Sequence, residues 1–160
     1  MNENTNSDFV TKVVIFLGNK ILFLMPDYSP FKGSLDLPGG HVHTKEELAD
    51  GLRREVKEET GLELTNHKKL FEKDNITYYY STINKAKAKK ITLSHEHSEY
   101  KLMTLEKVVK EDHKINPDFL AAVRKAQKLR DDDEEDIFGD LIKTSILFAT
   151  LLMLVKGLYN

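Results

Sequence analysis

Residues 40–62 read GHVHTKEELADGLRREVKEETGL, and this stretch decides the fold. Leu48, Leu52 and Val56 recur every four residues, the spacing of a helix with one apolar stripe. Thr44 followed three residues later by Glu47 has the form of a capping box and sets the expected helix start. Gly61 is the expected C-cap. On such a helix Glu55, Glu58 and Glu59 stand at i, i+3 and i+4 and share a face. Three carboxylates so close repel one another, and their pKa values rise unless a cation intervenes. Carboxylate oxygens are hard ligands, which points to Mg²⁺ or Mn²⁺ rather than zinc. Gly51, one turn back, is expected to leave room above the metal.

Working outward toward the N-terminus, the runs VVIFL (13–17) and ILFLM (21–25) flank Gly18-Asn19-Lys20 and predict an antiparallel hairpin. Residues 27–34 hold Pro30 and Gly33 and read as a loop, and 35–37 form a short extended piece leading to Pro38-Gly39-Gly40. Toward the C-terminus, strands are expected over 62–73, 76–83 and 89–94, with a further extension at 100–103. Thr104 caps a short helix over 105–110, and Asn116-Pro117 opens another that runs to about Arg130. Strands and helices in this order give an α+β chain.

The expected layout is a disordered tail at 1–8, a domain at 9–130, an acidic linker at 131–136 (DDDEED) and an apolar helix at 137–160. That last segment contains SILFATLLMLV (145–155) between Lys143 and Lys156. Even from Thr144 the uninterrupted stretch is 12 residues, short of the roughly 20 a membrane span needs. Packing on its own domain or a homodimer contact is favoured over a membrane. Residues 1–8 carry no basic residue and no apolar signal core follows, so secretion is not expected and a cytoplasmic location is.

Composition narrows the function. Of 160 residues, 40% are hydrophobic, enough for a sizeable core. Lys plus Arg number 24 against 26 Asp plus Glu, a net charge of -2, which argues against general nucleic-acid binding. There is no cysteine, so thiolate metal sites and cysteine nucleophiles are excluded. His41, His43, His95 and His97 alternate in two pairs and with Glu96 form a conceivable zinc set, but spacing alone does not make them converge.

The segment 40–62 resembles the Nudix box: Gly40, Glu46, Arg54-Glu55, the aliphatic Val56, Glu58-Glu59, Gly61 and the aliphatic Leu62 all fall in frame. Leu37-Pro38-Gly39-Gly40 resembles the family's lead-in, and the order of elements over about 9–130 is similar. The family often has an aromatic near Leu35 and again near Leu102; this chain has no Trp.

The resemblance implies an α/β/α sandwich, a mixed sheet between helices, and metal-dependent hydrolysis of a pyrophosphate bond in a nucleoside diphosphate linked to a second group. It implies Glu55, Glu58 and Glu59 as metal ligands, with the Gly40 carbonyl as a further one. It implies Arg54 as the residue that orients the glutamates and Glu46 as a support for the loop–helix junction. Glu96, with Glu99 as its competitor, lies where the family's later-loop base or ligand falls. His41 or His43 is expected near the phosphates. Tyr78 and Tyr80 lie at the distance from the box at which hydrolases of dinucleoside polyphosphates carry a substrate-stacking tyrosine, although strand propensity also explains Tyr78-Tyr79-Tyr80. The ADP-ribose-type proline is absent, which turns the resemblance toward dinucleoside polyphosphates. A nucleoside triphosphate, ADP-ribose or NADH pyrophosphatase and a non-catalytic nucleotide-binding module are the alternatives.

Overall fold

The structure, a computed structural model, describes residues 6–84 and 91–158. It divides into two compact units, Met1–Ala126 and Gln127–Asn160.

In the first unit, β1 (Asn6–Leu17) and β2 (Lys20–Pro26) form the hairpin, with Gly18 at φ 65° in the turn. β3 (His41–His43) pairs antiparallel with the start of β1. α1 spans Leu48–Thr60 and is followed by β4 (Lys68–Lys73), β5 (Ile76–Ile83) and β6 (His97–Met103). α2 is Leu105–Lys110, and α3, Pro117–Leu158, begins in this unit. The strands form a six-stranded sheet in the order β4-β5-β1-β2-β6, with β3 beside β1. β1 and β5 run parallel and the other pairs antiparallel, so the sheet is mixed.

Alternation along β1 assigns the two faces. Val13, Ile15 and Leu17 pack with Leu52 and Val56 of α1, both fully buried. Burial of each such side chain contributes about 1.5–3 kcal/mol. The opposite face carries Lys12, Val14 and Phe16 in register with Tyr78, Tyr80 and Thr82. There Tyr78 stacks on Phe71 at 4.7 Å and meets Phe119 of α3 edge-on at 6.2 Å.

Several expectations are corrected. Asn6–Asp8 belong to β1, not to a tail, because β3 gives their backbone a partner. The capping box does not form. α1 starts at Leu48 behind Glu47, with no side-chain cap, because Lys45 takes a left-handed φ of 71° and residues 44 and 45 turn instead of opening a helix at Thr44. Residues 62–67 are not strand, and neither are 91–94; 89 and 90 lie outside the described residues. The strand near Tyr100 instead begins at His97. The acidic run 131–136 is helical and lies inside α3, where Arg130 reaches Glu134 at 3.1 Å. One helix therefore replaces the separate linker and terminal helix, and the unit boundary falls at 126 rather than 130. Thr104 caps α2 by accepting the Lys107 N–H, and Gly61 ends α1 at φ 71°.

The second unit is the remainder of α3. Ile137, Phe138, Leu141, Ile142, Ile146, Leu147, Phe148 and Leu151 are exposed. Among the described residues no helix is long and apolar enough to cross a membrane.

Candidate functional site

Arg54, one turn before Glu58 on α1, organises the first half of the site. Its Nε and Nη2 donate to the two Glu46 oxygens at 3.1 and 3.0 Å, the planar fork that a guanidinium makes with a carboxylate. Nη2 also donates to the His41 carbonyl at 2.9 Å, and Nη1 to Glu55 at 2.7 Å and Glu58 at 3.5 Å. Glu46 receives the His43 backbone N–H as well, at 2.9 Å. Hydrogen bonding from Arg54 holds the Glu46 carboxyl down at about 2, and the Glu46 and Glu55 carboxylates push the Arg54 pKa further up. This network ties β3, the 44–47 turn and α1 together.

Gly40 lets Glu55 lie against the backbone. A Cβ at Gly40 would stand 2.5 Å from Glu55 Oε2. Gly39 has φ 123° and packs on Thr11, where a Cβ would overlap the Thr11 carbonyl. The Gly40 carbonyl accepts the Thr11 N–H at 2.9 Å, so one of its two acceptor positions is already used. Gly51 does not open space above the acids. A Cβ there would stand 3.1 Å from Val42 and Glu46, so its smallness serves close packing of α1 on β3.

The three box glutamates occupy different surroundings. The Glu58 side chain is 60% exposed. Glu55 is mostly covered and held by Arg54. Glu59 is buried, accepts the Gly39 N–H at 2.8 Å and lies 3.7 Å from His97 Nε2. Burial pushes the Glu59 carboxyl up to about 8, against the opposing pull of Lys12 and the Gly39 hydrogen bond. Desolvation, not mutual repulsion of the three acids, is thus the main cause; Glu55 contributes only weakly. The His97 ring is itself buried, and desolvation lowers its pKa.

As placed, no three His, Asp or Glu side chains among the described residues converge to hold an ion. In kind the donors fit one. Glu55, Glu58 and Glu59 offer hard carboxylate oxygens from consecutive turns of one helix. A buried carboxyl such as Glu59 is the group that a cation would keep ionised.

Glu96 lies in an exposed turn just before β6, and its carbonyl accepts the Asp27 N–H at 3.0 Å. Its charge acts on Tyr28 and His97. Glu99 is exposed on β6 opposite Met25. The His41 side chain is exposed, and it is the carbonyl that joins the network. Tyr78 and Tyr80 are overturned as stacking platforms. At 1% and 4% exposure neither ring presents a face to a ligand, because the α3 side of the sheet covers them. The histidine pairs do not join either: His97 is buried against Glu59 while His41, His43 and His95 are exposed.

Sequence reading missed a pocket of about 330 Å³ lined by Lys12, Pro26, Tyr28, Phe31, Ser34, Leu35, Asp36, Asn116 and Phe119. Lys12 pairs with Asp36 at 2.9 Å on its wall. Lys12 also donates to the Leu37 carbonyl at 2.9 Å, two residues before the Gly39 that holds Glu59, which places the pocket beside the end of α1. The available signal was Lys12 itself, since a lysine inside an apolar strand needs a buried carboxylate partner.

A family model described as NUDIX domain matches residues 9–123. A curated relative, an ADP-ribose pyrophosphatase of Methanocaldococcus jannaschii, is 47% identical over 49 residues, 31% of this chain. The chain matches only 29% of that protein's length. Among solved structures, a C. elegans Ap4A hydrolase is similar at a TM-score of 0.61 and 25% identity, with 75% of this chain and 96% of that one covered. A MutT protein from Methanosarcina mazei Go1 is similar at a TM-score of 0.57 and 23% identity, with 81% and 99% covered.

Proposed function

The chain belongs to the NUDIX domain family, and from that premise we propose that it hydrolyses a pyrophosphate bond in a nucleoside diphosphate linked to a second group. The observation that carries this reading is the position of Glu59. It is a buried carboxyl fixed by the Gly39 N–H, with the Arg54 network on one side and an open aromatic pocket on the other.

In this reading Glu55, Glu58 and Glu59 hold Mg²⁺ or Mn²⁺, with the Gly40 carbonyl as a further ligand. A divalent cation there supplies polarisation of phosphoryl oxygens and activation of water. The chain's own groups do the rest. Arg54 keeps Glu55 turned to the Gly40 backbone and so fixes one donor before substrate arrives. Gly39 aims Glu59, and the pocket receives the organic part of the substrate. Glu96, joined to the pocket loop through Asp27, is the base or an added ligand.

Dinucleoside polyphosphates lead among substrates, supported by the likeness to the C. elegans Ap4A hydrolase over nearly its whole length. An ADP-ribose-type substrate is favoured instead by the M. jannaschii relative. Product analysis after incubation with diadenosine polyphosphates, ADP-ribose, NADH, nucleoside triphosphates and capped RNA, each with Mg²⁺ or Mn²⁺, separates them. Turnover of one class, lost in Glu58→Gln, is expected. Metal-dependent nucleotide binding with no turnover of any would point to the binding-module alternative.

A further inference from the structure

We propose that the pocket selects adenine, with Asp36 accepting the exocyclic amine of the base; this deepens the hydrolase reading above and rests on it. The pocket's volume, about 330 Å³, is at the small end of ligand sites. Three rings line it: Tyr28 and Phe31 from the 27–34 loop, and Phe119 from α3. Tyr28 and Phe31 meet edge to face, 5.9 Å apart at 76°, so neither covers the other's face. They are 48% and 54% exposed, available to a flat ring in a way that buried Tyr78 is not.

The polar groups decide which ring. An ammonium has three N–H donors. Lys12 gives them to Asp36 Oδ1, Asp36 Oδ2 and the Leu37 carbonyl, each at 2.9 Å. Lys12 therefore has no donor left for a phosphate, and the polyphosphate must run out of the pocket toward α1. Asp36, in contrast, keeps acceptor capacity, because an ionised carboxylate accepts at about four positions. Lys12 sits equally far from the two oxygens and fills the positions between them. The positions left point apart. Guanine presents two parallel N–H donors and needs both oxygens side by side, which the lysine blocks. Adenine presents one amine and needs a single outer position. Asn116 completes the match. Its Oδ1 accepts the Asp118 N–H at 2.8 Å, which leaves the NH₂ of this pocket-lining residue as a donor for a ring nitrogen of adenine.

The test is binding of ADP, IDP and GDP to the full chain by calorimetry, paired with kcat/KM on diadenosine, diinosine and diguanosine tetraphosphates. Inosine replaces that amine by a carbonyl oxygen, an acceptor that would face the Asp36 carboxylate, and carries a proton on N1, where adenine offers the acceptor that Asn116 would meet. ADP is expected to bind about 10-fold or more tighter than IDP or GDP, the scale of a hydrogen bond to a charged acceptor. The double variant Lys12→Met with Asp36→Leu removes both partners together, and in it the three nucleotides are expected to bind within about two-fold of one another. Phe31→Ala, at an exposed tip, is expected to weaken all three by the same factor. A wild-type ADP-to-IDP ratio near one overturns the proposal, and so does a ratio that survives in the folded double variant. Equal turnover of the three tetraphosphates would sink the adenine proposal alone. Adenine-selective binding with no turnover would sink the hydrolase reading and leave the pocket's preference standing.

Discussion

Around Arg54, three carboxylates and two backbone groups from residues 41–58 are drawn onto one guanidinium or onto the carboxylate it grips. The pocket beside Lys12 draws instead on β1, the end of β2, the 27–36 segment and the start of α3. The first region is dense in charge and internally satisfied. The second is walled by aromatic rings with one ion pair. The charged network is set largely by local helix geometry, while the pocket depends on elements that meet only when the sheet is complete. Glu59 stands where the two regions touch.

Breaking the first region at that junction carries the largest expected effect. Glu59→Gln keeps the acceptor for the Gly39 N–H and removes the negative charge. Turnover is expected to fall by about 10²-fold or more, the scale of positioned acid–base and electrostatic groups, with circular dichroism unchanged. Arg54→Lys keeps the charge but loses the fork to Glu46 and the simultaneous reach to Glu55. Its activity, or its affinity for Mn²⁺, is expected to drop about 10–100-fold, as for other groups that orient ligands. An equal loss of thermal stability with full activity would show the network to be scaffolding only.

The acids at the two ends of α1 also predict opposite responses to pH. Glu59 is raised from 4.5 to about 8 by burial. Its contribution to stability is complete below about 4.5 and is lost as pH rises through about 8. Glu46 is lowered to about 2 by Arg54. Its contribution is present above about 4.5 and is lost as pH falls through about 2. The metal-free Tm should therefore decline from weakly acid to weakly alkaline pH. Glu59→Gln should flatten that decline and leave the acid limb untouched. An unchanged alkaline limb would remove Glu59 as its source.

The smallest effect is expected at Gly61, where φ is 71° and a Cβ would meet only ordinary contacts with Thr92. Gly61→Ala should cost about 1–2 kcal/mol, the left-handed backbone penalty, read as a lower Tm with metal-dependent turnover intact.

The same contrast explains what the sequence disclosed. The α1 stripe of Leu52 and Val56, the Gly61 cap and the alignment of Arg54 with three glutamates are set by helical periodicity, a local rule. The helix start differs from the Thr44–Glu47 pattern because Lys45 adopts a left-handed φ of 71°, which no side-chain spacing announces. Tyr78 and Tyr80 were misread because period-two alternation says that they share a face but not that Phe71 and Phe119 cover it. The pocket was invisible for the same reason: the Lys12–Asp36 pair joins residues whose contact exists only through the sheet.

The most direct test is the rate of pyrophosphate-bond cleavage against Mg²⁺ or Mn²⁺ concentration, for the wild type and Glu59→Gln side by side, on the best substrate of the nucleotide panel. Cleavage is expected to rise to saturation with the metal in the wild type, and the variant to be slower by about 10²-fold at every concentration. Cleavage independent of added metal after chelation, or a variant as fast as the wild type, would contradict it.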